Sequence, residues 1–140
     1  MQLQLVTLAG VQLDTEVYEV QIPTAMGPIG VFPGHEPLVS IAVPGVIKVR
    51  HNKTDSDNLL EYFAIGGGVI DIDQKVIRVL VDEADRDEDI VEAEAKAALD
   101  KALEMKKNAK TAVELEKAAA LVDRHQVRLN VAGLRRRKRQ

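Results

Sequence analysis

The sequence predicts an α+β chain: an N-terminal antiparallel β-sandwich followed by a C-terminal antiparallel two-helix hairpin. Three observations carry this. Short apolar runs of strand length, punctuated by Gly and Pro, fill residues 1 to about 84. After Ala84 the apolar period lengthens from two toward about 3.6, and Gly and Pro are absent through Lys107. A second helical pattern begins after the link Asn108-Ala109-Lys110, which is short enough to require an antiparallel return. The predicted units are 1–84, a docking sandwich, and 85–140, the hairpin with a basic end.

In the first half, Thr15 to Ile22 reads as a strand ended by Pro23. Pro44-Gly45 opens a short strand, Val46-Ile47-Lys48-Val49. The polar stretch from His51 to Asn58 reads as a surface hairpin loop leading into the apolar run Leu59 to Ile65. Val69-Ile70-Asp71-Ile72-Asp73 alternates, and Gln74 turns it into Val76-Ile77-Arg78-Val79-Leu80-Val81, a hairpin pattern. Gly66-Gly67-Gly68 resembles a phosphate loop only superficially. No Gly-Lys-Ser/Thr follows and the next segment is a strand, so the triplet reads as a bulge or close backbone packing.

In the second half, a helix is predicted from Asp87 to about Lys107, with Asp89 or a neighbouring acid at its start and Lys106 and Lys107 at its end. Val91, Ala95, Ala98, Ala102 and Met105 recur at spacings of three and four and form one face, flanked by Leu99 and Leu103. Thr111-x-x-Glu114 is a capping box for the second helix. Leu115, Ala118, Val122, Leu129 and Ala132 form its stripe, and Gly133 marks a point where it can end. An alanine seam buries little apolar area per residue, at about 25 cal/mol per Å2. A hairpin that opens and one that stays packed are both compatible with that composition.

The chain has 140 residues, enough for one domain or a small domain with an appendage. Hydrophobic residues make up 46% and aromatics only 3%, so the core is built from Val, Ile, Leu and Ala. The absence of cysteine excludes disulfides and thiolate metal sites. The first residues do not read as a signal peptide, because a basic stretch is missing and Gln2 and Gln4 interrupt the apolar residues. No apolar run approaches the ~20 residues that cross a bilayer.

The net charge of −3 hides a segregation. Between Asp82 and Glu94 the chain carries Asp82, Glu83, Asp85, Asp87, Glu88, Asp89, Glu92 and Glu94 against Arg86. The end carries Arg124, Arg128, Arg135, Arg136, Arg137, Lys138 and Arg139. Such blocks mark solvated faces or interaction surfaces. His35, His51 and His125 are dispersed, and Ser40 and Ser56 lie in no nucleophile context. The sequence therefore predicts no catalytic residue, no metal site, no cofactor and no enzyme activity. The basic end suits nucleic acid, an anionic membrane or an acidic protein surface. Specific single-strand binding adds stacking aromatics, and the second half of the chain has none. A nucleic-acid-binding β domain with a basic tail is the less favoured alternative.

The segment Gly27-Pro28-Ile29-Gly30-Val31-Phe32-Pro33-Gly34-His35-Glu36-Pro37-Leu38 resembles a recurrent stretch of the epsilon subunit of F-type ATP synthase. Pro44-Gly45-Val46-Ile47, Gly67-Gly68-Val69-Ile70 and the acidic linker after Val79 follow in the family's order over nearly the whole chain. The resemblance implies a rotor subunit. Its β domain would bind the gamma subunit and rest on the c-ring, and its helices would extend toward the alpha/beta catalytic subunits and inhibit ATP hydrolysis. It implies no nucleic acid, and membrane association only through the complex, at the cytoplasmic face of a bacterial plasma membrane or, for an organelle-encoded copy, the stromal face of a thylakoid. A purely structural coupling subunit with a permanently folded hairpin is the alternative.

Carried over by position, Pro28, Ile29, Gly30 and His35 are the predicted interface to the c-ring and gamma. Pro28 replaces an acid common in the family, which shifts the expected contact to the backbone or to Ile29. Arg124, Arg128, Arg135, Arg136, Arg137, Lys138 and Arg139 are the predicted inhibitory contacts to catalytic subunits, since guanidinium groups pair carboxylates bidentately. Several bacterial members bind ATP through an Ile/Leu-Asp-x-x-Arg-Ala motif. Here Ile90 and Ala95 match, while Val91 replaces the Asp and Glu94 the Arg. A carboxylate in place of a cation repels triphosphate, so no ATP binding is predicted there.

Overall fold

A computed structural model describes residues 1–138. Ten strands precede two helices: β1 (Gln2–Thr7), β2 (Gly10–Glu16), β3 (Glu19–Ile22), β4 (Ile29–Val31), β5 (Leu38–Ala42), β6 (Gly45–Arg50), β7 (Glu61–Ile65), β8 (Gly68–Ile72), β9 (Val76–Val81), β10 (Ala84–Arg86), α1 (Glu92–Lys107) and α2 (Ala112–Lys138). Two 5-stranded sheets face each other, ordered β2-β1-β9-β8-β5 and β10-β7-β6-β3-β4. Each strand pair is antiparallel except β1 with β9, which run parallel. The predicted sandwich and hairpin are present, with that one parallel pair inside the first sheet.

Alternation along the strands fills the space between the sheets. Leu3 and Leu5 from β1, Val20 and Ile22 from β3, Ile47 and Val49 from β6, and Ile70, Ile72, Ile77 and Val79 from the β8–β9 hairpin are almost fully buried. Phe63 is the one aromatic of this core, in keeping with a composition that supplies little else of that size. A second apolar cluster lies on the outer side of the second sheet. There Leu60, Tyr62 and Ala64 pack against Ile90, Ala95, Val127, Val131 and Ala132. The helices thus pack on the outer side of the second sheet, over β6 and β7, and among the described residues nothing covers the first sheet's outer face.

Several boundaries differ from the predicted ones. The run Thr15 to Ile22 breaks at Val17-Tyr18, where the backbone changes sheets. Val17 donates its N–H to the Met1 carbonyl at 2.8 Å, and Tyr18 donates to the Arg50 carbonyl at 2.9 Å. Residues Asp57–Leu59 form a 3-10 turn, so the strand predicted from Leu59 starts at Glu61.

The first helix starts five residues later than the charge pattern suggests, at Glu92. Ala84–Arg86 pairs with β7, and Asp87–Asp89 is a 3-10 turn. Asp87 is 3% exposed and accepts the Glu88 N–H at 2.8 Å, while Ile90 sits in the second cluster at 1% exposed. These contacts hold the segment against the sheet, and Val91 becomes the N-cap without a side-chain cap.

The capping box of α2 is present in shifted form. Thr111 Oγ1 accepts the Glu114 N–H at 3.1 Å, and Glu114 reaches back to the Lys110 N–H at 2.9 Å. α2 continues through Gly133 to Lys138. The apolar stripes are only partly as predicted. Ala95, Ala102, Ala118 and Ala132 are buried, whereas Val91, Met105 and Leu115 are exposed, and Val127 and Val131 take the buried positions instead. The reason is that α2 packs on β7 as well as on α1.

The glycine triplet serves close packing. A Cβ built on Gly68 would run into the Leu80 carbonyl oxygen of the neighbouring strand, and one on Gly66 into the Asp82 carboxylate.

Candidate functional site

The bare sheet carries a continuous apolar row. Cross-strand register places Ile41 beside Val69, Val69 beside Leu80, Leu80 beside Val6 and Val6 beside Val11. One outward residue from each of five strands therefore shares a line across the face. Ile41 is 63% exposed, Val69 45%, Leu80 48% and Val11 64%. The neighbouring line, Val39-Asp71-Arg78-Gln4-Asp14, is mostly polar. Leu8, at the turn between β1 and β2, extends the apolar row with a side chain that is 95% exposed. In the sequence, the alternating residues of β8 and β9 show only a hairpin pattern. The row becomes visible once the sheet order is known.

The loop around β4 is the second surface. Thr24 closes its entry: its hydroxyl donates to the Gly27 carbonyl and accepts the Met26 N–H at 3.2 Å. Gly27 has φ +105° and Gly34 φ +85°, left-handed conformations that favour glycine. Pro28 and Gly30 are exposed. Ile29 packs partly against the sandwich core, so its side chain is largely committed inward. The outward apolar groups of this loop are Met26, 95% exposed, and Phe32, whose ring packs edge-on against Tyr18 at 5.8 Å.

His35 donates its backbone N–H to the Phe32 carbonyl at 3.2 Å, and its Nδ1 lies 2.6 Å from the Glu36 carbonyl. A carbonyl only accepts, so Nδ1 is the donor in this contact. The sequence singles out His35 and carries no signal for Met26, whose exposure follows from the turn.

The third surface is where the charge blocks meet. Arg124 Nε lies 2.8 Å from Glu83 Oε2, and Arg128 Nε lies 3.3 Å from Asp85 Oδ2. Arg136 Nη1 donates to Glu92 Oε1 at 2.6 Å. Lys138 Nζ donates to the Leu60 carbonyl at 2.5 Å, stands 4.0 Å from the buried Asp87 carboxylate, and sits over the Tyr62 ring at 5.8 Å. Arg135 donates to the Asp87 carbonyl. Arg137 lines a groove with Val46, Lys48 and Leu134. Arg139 lies outside the described residues. The acidic linker and the basic end, read separately in sequence, are partners of each other in this conformation.

The electrostatics of that contact are mixed. Burial is the largest influence on Glu83 and raises its pKa, outweighing the nearby Arg124. The N–H groups of Arg124 and Arg128 that approach the acids are buried but not aligned as hydrogen bonds. They are charge contacts without hydrogen-bond geometry. His125 lies between these two arginines in sequence. Burial, then Arg128 and Arg124, lower its pKa, against a smaller opposing influence of Asp85.

The positions of the ATP motif divide by environment. Ile90 and Ala95, which match it, are 1% and 0% exposed and belong to the apolar cluster under α2. Val91 and Glu94, which depart from it, are exposed. Packing alone accounts for the two matches. Among the described residues, no group of three or more His, Cys, Asp or Glu is arranged to hold a metal ion. No described helix is long and apolar enough to cross a membrane.

The described fold is thus a β-sandwich with an outward apolar row on one sheet and a charged helical hairpin packed on the other. Residues 1–87 match the family model for the beta-sandwich domain of the ATP synthase Delta/Epsilon chain. The chain is 33% identical over 135 residues to an ATP synthase epsilon chain of Herpetosiphon aurantiacus, covering 96% of each. It is 34% identical over 96 residues to an ATP synthase epsilon chain of Bordetella petrii, covering 69% of this chain and 65% of that one.

Two solved structures share the fold. A chain in the Euglena gracilis mitochondrial ATP synthase structure (OSCP/F1/c-ring) superposes with a TM-score of 0.76 at 23% identity, covering 93% of this chain and 79% of that one. A chain in the Tetrahymena thermophila mitochondrial ATP synthase central stalk/c-ring structure gives 0.60 at 16% identity, covering 92% and 96%. The chain belongs to the epsilon-subunit family of F-type ATP synthase.

Proposed function

We propose that this chain is a non-catalytic central-stalk subunit that couples the gamma subunit to the c-ring, and that its carboxy-terminal helices restrain ATP hydrolysis. The observation that carries the docking role is the apolar row Ile41-Val69-Leu80-Val6-Val11 on the face opposite the helices. An uncovered apolar line across a whole sheet is a surface to be buried by a partner. The gamma subunit is the partner assigned to it. The loop with Pro28, Gly30, His35, Met26 and Phe32 is assigned to the c-ring. Membrane association then follows from the complex, at the cytoplasmic face of a bacterial plasma membrane or the stromal face of a thylakoid.

The inhibitory role uses Arg124, Arg128, Arg135, Arg136, Arg137 and Lys138, with Arg139 beyond the described residues, against carboxylates of the alpha/beta subunits. Arg124, Arg128, Arg136 and Lys138 are engaged by the chain's own acids here, so that role requires α2 to leave the sandwich. In this reading the sandwich of 1–84 docks and the hairpin of 85–140 regulates, with β10 retained by the sandwich as an added edge strand.

ATP hydrolysis by the assembled complex tests this, comparing the full chain with one ending at Glu88, which keeps β10 and removes both helices. A large rise on truncation with assembly intact supports inhibition. Unchanged hydrolysis with intact assembly favours a purely coupling subunit whose hairpin stays folded.

A further inference from the structure

The apolar seam under α2 and the charge contacts beside it have different geometric demands. Val127, Val131 and Ala132 pack on Leu60, Tyr62 and Ala64, an area-driven contact that tolerates sliding. The charge contacts are localised instead, each set between particular side chains. Arg124, Arg128 and Arg136 meet Glu83, Asp85 and Glu92 one to one, and Lys138 stands 4.0 Å from the Asp87 carboxylate, while Arg135 adds a hydrogen bond to the Asp87 backbone carbonyl. Spaced along α2, these cations contact the linker from before β10 to the first turn of α1.

We propose that the acidic linker is an internal counter-surface that holds α2 on the sandwich in one register through a salt-sensitive set of charge contacts. The pairs fit a reversible latch. Arg124 and Arg128 approach their acids without hydrogen-bond alignment. Both members of the Arg136–Glu92 pair are substantially solvent-exposed, at 61% and 42% of side-chain area. Contacts of this kind are individually weak and reduced by salt. Their sum sets register and reversibility, while the apolar seam supplies most of the docking free energy. The latch belongs to the chain itself and holds whether or not the released hairpin inhibits hydrolysis.

The test is amide hydrogen exchange of the full chain, followed by residue-resolved NMR over Ala118 to Val131. Raising salt from about 0.05 M to about 1 M, where the Debye length falls to ~3 Å, accelerates α2 exchange while β1 and β9 are unaffected. The variant Asp85→Asn/Glu92→Gln, which keeps every cation, exchanges about tenfold faster in α2 at low salt and loses most of the salt response. The swap Asp85→Arg/Arg128→Asp guards against simple damage: with sandwich protection intact, it restores α2 protection relative to Asp85→Arg alone. Salt-independent α2 exchange in the native chain would overturn the proposal. So would unchanged exchange in the neutralised variant, or a swap that fails to restore protection while the sandwich stays intact.

Discussion

Arg124 lies 2.8 Å from Glu83, yet burial holds the Glu83 carboxyl above its ordinary pKa. Proximity and net stabilisation are separate quantities here, because removing a carboxylate from water costs more than an unaligned guanidinium returns. Glu83→Gln is therefore expected to change α2 docking by no more than about 0.5 kcal/mol. Arg124→Ala, which strands the half-buried carboxylate, is expected to cost about 1 kcal/mol. Exchange protection of α2 at neutral pH ranks the two, and equal effects would show that the pair acts as an ordinary salt bridge.

Docking of α2 should weaken as pH falls through the range of an ordinary histidine. The His125 pKa is lowered by burial and by Arg128 and Arg124, so the undocked state takes up the proton first. Above about pH 6.5 the imidazole is neutral in both states and contributes nothing. Below that, protonation in the undocked state favours release until the docked pKa is passed. Glu83 has the opposite sign: its raised pKa favours docking as pH falls toward the ordinary carboxylate range. Chemical shifts of Val127 and Val131 followed from pH 8 to pH 5.5 report the balance. His125→Gln should remove the part of the response centred below pH 6.5.

The same substitution at two glycines should have opposite effects. Gly68→Ala places a methyl group against the Leu80 carbonyl, backbone of the paired strand that cannot swing aside, and is expected to destabilise the chain by about 1–3 kcal/mol. Gly133→Ala meets nothing within 4 Å and lies within α2, so it should stabilise the helix by ~1 kcal/mol. Urea unfolding of the sandwich reads the first, and helix exchange protection reads the second.

Replacing Leu80 with Lys should leave the fold intact, since its side chain is half exposed, and should weaken binding to the gamma subunit by roughly tenfold or more. Titration of isolated gamma with this variant and with Arg78→Ala, from the neighbouring polar line, separates the apolar row from its surroundings. Full affinity for Leu80→Lys would remove that row from the interface.

Magnesium ATP titrated calorimetrically into the isolated chain should give no saturable binding at Ile90–Ala95. Restoring the motif with Val91→Asp/Glu94→Arg changes two exposed positions and leaves the packed Ile90 and Ala95 in place. Tight binding by the unaltered chain would refute the electrostatic reading of this motif.

Local chemistry determined much of this protein from the sequence alone. Alternation along β8 and β9, the polar loop before β7, the absence of helix breakers after Ala84 and the Thr111 cap each depend on neighbours a few residues away. That is why the sandwich-then-hairpin order was legible. The ordered motifs around His35 and Gly68 were legible for the same reason and pointed to the family.

What only the tertiary structure decided lies where distant segments compete. The late start of α1 follows from Asp87 and Ile90 being held against the sheet and α2, overriding a charge pattern that suits a helix. The stripe on α2 shifted to Val127 and Val131 because a sheet as well as a helix packs on it. The apolar row exists only through strand order, which sets β1 beside β9 and β8 beside β5. The acidic and basic blocks became partners because the hairpin returns over the linker, a matter of chain geometry that charge counts along the sequence do not contain.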